Sequence, residues 1–153
     1  MNNNNIEIER RWLMRKLPNE LADEAYTILQ YYSPLGRYRS RTPFSQTEEK
    51  NFDTTPKYFH TIKRPISTGI NSEFEVEITK EQFDIAIKLA TKSLTKLRFV
   101  HHFKGLAFEV DLMINTTYQN KFHCDLIILE VELEDYKQNI EFPRCIENRI
   151  IKE

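Results

Sequence analysis

The stretch "NIEIERRWLM", residues 5–14, alternates with a period of two: Glu7, Glu9 and Arg11 fall on one side of a strand, and Ile8, Arg10 and Trp12 on the other. Two carboxylates and a guanidinium side by side need a reason. The same arrangement recurs along the chain. "GRYRSR" aligns Arg37, Arg39 and Arg41, "FHTIK" sets Lys63 beside Thr61, and "SEFEVEI" sets Glu73, Glu75 and Glu77 against Phe74, Val76 and Ile78. "LTKLRFV" sets Lys96 and Arg98 against Leu97 and Phe99, "FEVDLM" sets Glu109 and Asp111 against Phe108, Val110 and Leu112, and "IILEVEL" sets Glu130 and Glu132 against Leu129, Val131 and Leu133. Each strand is half apolar and half charged.

Strands are expected near residues 6–14, 27–32, 36–43, 57–66, 72–78, 94–103, 106–114 and 125–134. Helices are expected near 18–29, through Leu21, Ala25, Ile28 and Leu29, and near 80–92, through Phe83, Ile87 and Ala90. With only 3 glycines, the turns rest on Pro, Asn and Asp; Pro34-Leu35-Gly36 reads as one turn and "FKGL", 103–106, as a hairpin connection. The polar segment 44–56 reads as a mobile loop between paired strands, and "MNNNN", 1–5, as a disordered leader. Residues 6–153 then form a single domain, without an internal repeat.

The chain has 153 residues, 40% hydrophobic and 29% charged, enough for one real core. Its 22 Lys and Arg against 23 Asp and Glu give no global pull toward nucleic acid or an anionic membrane. No apolar run approaches the roughly 20 residues of a membrane helix. Cys124 and Cys145 lack the spacing of a zinc ribbon or a CxxC redox motif, and no secretory leader is visible, so a reducing cytosol is the expected compartment.

A single strand of this kind ordinarily lies half exposed, its charged face in water. Here the charged faces are nearly pure Glu and Asp or Arg and Lys, with little of the Ser, Thr and Gln that a solvated sheet mixes in. An α+β fold answers this, built on an eight-stranded antiparallel β-barrel, closed or nearly closed, whose charged faces line a central channel and whose apolar faces pack outward against flanking helices. Inside and outside are exchanged. Like charges gathered in a low dielectric call for counterions. A polyanion carrying hard cations supplies them: Arg and Lys grip phosphate oxygens, while Glu and Asp hold Mg²⁺ or Mn²⁺.

These residues, in this order, resemble the CYTH superfamily, the triphosphate tunnel metalloenzymes, which includes class IV adenylate cyclases, thiamine triphosphatases and inorganic triphosphatases. "EIERR" resembles its ExExK signature, with Arg11 where Lys is usual. "RSR" (Arg39, Arg41) resembles its paired arginines, "TIK" (Lys63) its TxK strand, and "EFEVEI" (Glu73, Glu75) its central ExE strand. "KLR" (Lys96, Arg98), "FEVDLM" (Glu109, Asp111) and "LEVEL" (Glu130, Glu132) complete the match. Asn71 stands where members usually carry an arginine. Members also usually continue past "IIKE" into a C-terminal helix that helps close one end, so a more open channel, closure by a partner or a weakened or lost activity is expected here.

The resemblance implies a phosphate grip by Arg11, Arg39, Arg41, Lys63 and Arg98, and divalent metal on Glu7, Glu9, Asp111, Glu130 and Glu132. It implies a second metal, Glu75 or Lys96 as the group that activates water. Glu73, Glu77, Glu109 and Arg37 read equally well as ligand contacts or as internal ion pairs. The expected activity is hydrolysis of a triphosphate-containing substrate, inorganic triphosphate foremost, then a nucleoside or thiamine triphosphate. A class IV-type cyclase and a noncatalytic triphosphate or nucleotide binder are the alternatives. Bases alternate with acids, which does not suit nucleic acid beyond a 5'-triphosphate RNA end. A monomer or homodimer is expected. Adjacent His101 and His102 face opposite ways, His60 and His123 lack partners at metal spacing, and Trp12 and Phe59 read as core. One of Tyr31 and Tyr32 is expected at the channel mouth.

Overall fold

In the computed structural model, which describes residues 5–118, 121–123 and 126–153, the opening stretch forms β1 (Ile6–Met14). β2 (Glu24–Ser33), β3 (Gly36–Pro43), β4 (Lys57–Ser67), β5 (Ile70–Ile78), β6 (Lys92–Phe103) and β7 (Leu106–Tyr118) follow, then β8 (Lys121–His123), β9 (Ile127–Glu132) and β10 (Ile150–Lys152). Around the wall the order is β1-β5-β4-β3-β2-β6-β7-β9, with β9 paired to both β7 and β1, so eight antiparallel strands close on themselves. β8 hairpins onto β7 and β10 adds to the end of β1. Among the described residues no helix is long and apolar enough to cross a membrane. Cys124 and the first four residues lie outside the described residues, but Asn5, expected in the leader, already accepts from the Glu73 amide at 2.7 Å.

The expected helix over 18–29 is not formed. Residues 24–33 are strand β2, paired to β3 from Tyr26 to Ser33 and to β6 from Glu24 to Tyr32. A run rich in Tyr, Thr and Ile has strong strand preference, and a helix there would leave the edges of β3 and β6 unpaired. The second helix is shorter than expected. α1 (Lys80–Ala86) starts on a capping box between Thr79 and Gln82, passes into a 3-10 turn over Ile87–Leu89, and gives way to β6 at Lys92. Its one buried residue, Phe83, packs against the rings of Tyr31 and Tyr58.

The apolar faces point outward, as the alternation requires. On β1, β7 and β9 they are covered by the chain beyond β9, including α2 (Arg144–Glu147), which brings Ile140, Phe142, Cys145 and Ile146 onto Trp12, Phe108, Leu129 and Val131. Trp12 meets Phe142 edge-on at 5.2 Å. Each fully buried side chain of this size contributes about 1.5–3 kcal/mol. Two hairpins fall where expected, Pro34-Leu35 between Ser33 and Gly36, and Lys104-Gly105 between Phe103 and Leu106, both central residues of the latter at positive φ. Segment 44–56 has no regular structure, but its start is tied down: the Phe44 amide bonds Ala25 and the Gln46 side chain bonds the backbone of Ala22.

Candidate functional site: a charged lumen

Cross-strand register turns the charged faces inward. Glu9 lies opposite Glu132 and Arg11 opposite Glu130 across β1 and β9; Glu109 lies opposite Glu130 across β7 and β9; Lys63 lies opposite Glu73 and Thr61 opposite Glu75 across β4 and β5. They surround a cavity of about 330 Å³, lined by Arg11, Arg37, Arg39, Lys63, Lys96 and Arg98 and by Glu7, Glu9, Glu73, Glu75, Glu109, Glu130 and Glu132, with Gln30 and Tyr32 among its neutral neighbours.

Three ion-pair groups organise the wall. At the buried one, Asp111, with no exposed surface, accepts from Lys96 Nζ at 2.6 Å and from both Nε and Nη2 of Arg98 at 2.8 Å. Arg98 also reaches Glu109 at 2.7 Å. Burial opposes the charge on Asp111, but the Arg98 and Lys96 donors hold its carboxyl below the usual range. Burial pushes the Lys96 ammonium down despite that partner. In the second group Glu75 Oε2 accepts from Thr61 Oγ1 at 2.6 Å and lies 3.4 Å from Arg39 and 3.7 Å from Arg37. In the third, Lys63 Nζ contacts Glu7 at 2.5 Å, Glu9 at 3.3 Å and Glu73 at 3.8 Å, while Arg11 bonds Glu9 at 2.7 Å and approaches Glu130 at 3.6 Å.

The groups do not satisfy one another. Nε of Arg37, Nε of Arg39, Oε1 of Gln30 and Oε2 of Glu73 are buried without hydrogen-bond partners, an unusual concentration on one wall. Burial, with Glu7 adding to it, pushes the Glu73 carboxyl up to about 7. Burial also raises Glu9, with help from Glu130, and Glu132, with help from Glu7. Burial lowers Arg39, with Arg37 and Arg98 adding repulsion. Both signs are crowded beyond mutual compensation.

The expected site residues are brought together with qualifications. Glu7, Glu9, Arg11, Arg39, Lys63, Glu75, Lys96, Arg98, Glu130 and Glu132 all line the cavity. Arg41 is not among the lining residues: its guanidinium sits 4.8 Å from the ring of Tyr26 and 5.1 Å from that of Phe59. Asp111, expected among the metal ligands, has both oxygens engaged by Lys96 and Arg98. Phe59 was expected in the core but pairs with Arg39 and Glu77, which turns it inward, as its shared parity with Thr61 and Lys63 requires. Trp12 is core. Tyr32 borders the cavity and its hydroxyl accepts from Gln30 at 2.8 Å. Gln30, Arg37, Glu73 and Glu109 also line it. Gln30 was not singled out although it falls in the expected strand 27–32; its shared parity with Tyr32, one of the two tyrosines expected at the channel mouth, carried the signal.

The donor chemistry fits a hard divalent cation. The carboxylates of Glu7, Glu9, Glu130 and Glu132 supply oxygen only, and burial, with neighbouring carboxylates adding to it, raises Glu9, Glu73 and Glu132, a penalty on their charged forms that a cation would offset. Among the described residues no three His, Cys, Asp or Glu side chains converge at ligating distance; Glu7 is paired with Lys63 and Glu9 with Arg11.

No protein-family model matches the chain, and no curated protein does. Solved structures share the fold. The hypothetical protein NE1496 aligns over 96% of this chain and 90% of its own at 24% identity, with a TM-score of 0.50. A conserved hypothetical protein of Pyrococcus furiosus aligns over 84% and 79% at 17% identity, TM-score 0.54. A chain in the Mediator head module of Schizosaccharomyces pombe aligns over 88% and 86% at 11% identity, TM-score 0.53.

Proposed function

We propose that the protein is a triphosphate tunnel metalloenzyme of the CYTH type, a Mg²⁺- or Mn²⁺-dependent hydrolase of triphosphate-containing substrates. The observation that carries this reading is the closed barrel lumen, in which Arg11, Arg37, Arg39, Lys63, Lys96 and Arg98 share one small cavity with an acidic set that they do not neutralise. A pure anion site has no use for those carboxylates. A triphosphate with its cations uses both signs.

In this reading Arg39, Arg98 and Lys96 take the oxygens of the deepest phosphate, and the unpartnered Nε groups of Arg37 and Arg39 find acceptors. Asp111 holds Lys96 and Arg98 in place instead of binding metal. Arg41, stacked on two rings, supports the wall. Glu7, Glu9, Glu130 and Glu132 would hold the divalent cation, which when bound neutralises phosphate oxygens. Glu75, oriented by the Thr61 hydroxyl, accepts the proton of a water that attacks the terminal phosphorus; the phosphoanhydride bond breaks and diphosphate leaves with the bonding pair.

One observation favours a noncatalytic binder as the second reading: the Arg11 guanidinium bonds Glu9 and approaches Glu130, two of the metal-binding candidates. The test is phosphate release with Mg²⁺ and Mn²⁺ from inorganic triphosphate, ATP, GTP and thiamine triphosphate, with cyclic AMP assayed in the ATP samples and Glu7→Gln/Glu9→Gln as control. Metal-dependent release that the control abolishes supports the hydrolase. Cyclic AMP reassigns it as a cyclase, and binding without product as a binder.

A further inference from the structure

The lumen takes the charged side of the strands, so their apolar side has to be buried on the outside of the barrel. Most of it is. The chain beyond β9 covers β1, β7 and β9, and Phe83 of α1 packs on Tyr31 and Tyr58. β4 and β5 are the exception. Of the 11 residues of β4 and the 9 of β5 only Thr61 is buried, and its hydroxyl is turned inward to Glu75.

The outward side chains of these two strands form one continuous face with the start of β1. Ile62 lies opposite Phe74 and His60 opposite Val76, while Arg64 and Ile6 flank Ser72 from either side. Ile6, Ile62, Phe74 and Val76, with Ile66 at the end of β4, are each between 38% and 58% exposed. Together they offer on the order of 500 Å² of apolar surface, more than a monomer ordinarily leaves in one patch. The face is also close to neutral. Glu73 and Glu75 line the lumen and Glu77 shares their parity, so among the outward side chains of the two strands Arg64 carries the one permanent charge. A basic or acidic segment finds no row of opposite charges there, and an anionic membrane finds a single cation. What such a face complements is another neutral, apolar face.

We infer that a second copy of this chain packs on the outer face of β4 and β5, giving a two-fold dimer joined sheet to sheet. The apolar surface, with His60, Arg64 and Ser72 around it, approaches the roughly 800 Å² per partner of a stable complex. Sheets stack face to face about 10 Å apart, a gap that side chains of the size of Ile, Val and Phe fill from both sides. A two-fold axis in the plane of contact and running across the strands sets the two Arg64 side chains at opposite ends, so no like charges meet. The dimer stands whatever the lumen binds. It bears on the lumen all the same, because the inner face of the same strands carries Lys63, Glu73 and Glu75, and the partner braces that wall from outside.

The test is sedimentation equilibrium of the purified chain from about 1 to 100 μM, with Phe74→Glu and Ile62→Glu on the face and Leu21→Glu away from it as control. All three positions are exposed in a single copy, so a carboxylate there leaves the fold intact, which circular dichroism verifies. Phe74→Ser, which adds no charge, replaces a face variant that fails to fold. Wild type and Leu21→Glu are expected at twice the chain mass. The face variants are expected at the chain mass, with dissociation constants raised at least about a hundredfold, because each dimer would bury the new charge twice. A wild-type chain that stays monomeric across the range overturns the inference, as does a dimer that survives either face substitution or is lost equally in Leu21→Glu. A monomer that floats with phosphatidylcholine–phosphatidylserine vesicles, and fails to in Phe74→Glu, overturns it too and assigns the face to a membrane.

Discussion

Asp111 is the residue on which the buried half of the lumen depends. Its carboxylate is the shared counterion of Lys96 and Arg98, which are 5% and 9% exposed. Asp111→Asn leaves two buried cations without it, and is expected to lower unfolding free energy in urea by about 3–5 kcal/mol, the cost of stranding a buried charge. Glu73 makes the opposite case, a carboxyl short of donors. Held at about 7 against an ordinary 4.5, it keeps a proton in the folded chain that the unfolded chain releases. Its contribution to stability is therefore full below about 4.5 and lost as pH rises through about 7. Melting temperature should fall across that window more steeply in wild type than in Glu73→Gln, and equal slopes would assign the dependence to another group. The charged residues of the lumen were legible in sequence because alternation gives their parity. The role of Asp111 was not, since its pairing depends on the register of β6 against β7, and neither was the removal of Arg41 by two rings from different strands.

Among the elements, the β2–β3 hairpin shows how a turn residue controls the site. Gly36 has φ +122, and a Cβ there would lie 2.5 Å from the carbonyl oxygen of Thr61, the residue whose hydroxyl orients Glu75. Gly36→Ala is expected to cost about 1–3 kcal/mol in chemical denaturation through strain and crowding. Gly105→Ala, at φ +78 with nothing within 4 Å, should cost less. Equal losses would mean that backbone strain alone decides. Both turns were readable from Pro-Leu-Gly and Lys-Gly. β2 was read partly as helix because Leu21, Ala25, Ile28 and Leu29 mimic a helical stripe; the demand of β3 and β6 for a partner is non-local and overrides it. The covering of β1, β7 and β9 by the chain beyond β9 was equally hidden, since 133–149 carries neither period. Where no such cover reaches, β4 and β5 leave Ile62, Ile66, Phe74 and Val76 on the surface, Phe74 at 55% exposure.

For the whole molecule, the sign of the lumen decides what can enter. Its lining carboxylates outnumber its lining cations, and Asp111 behind the wall adds one more acid. A polyanion entering alone meets no net attraction. Triphosphate is therefore expected to raise the melting temperature only with Mg²⁺ or Mn²⁺ present, the stabilisation growing with the logarithm of ligand concentration. Equal stabilisation in a chelator would mark a simple anion binder. Closure of the wall carries a further consequence for the chain as it is made. β1 ends at Met14, and its partner β9 begins only at Ile127. At about 5–20 residues per second, a ribosome leaves the first strand waiting roughly 6–23 seconds for the last. Glu9 and Arg11 have no opposing Glu132 and Glu130 during that interval. The nascent chain can pair its middle strands in order, but the acidic half of the lumen comes into being in one late step, when β9 docks between the first strand and the seventh.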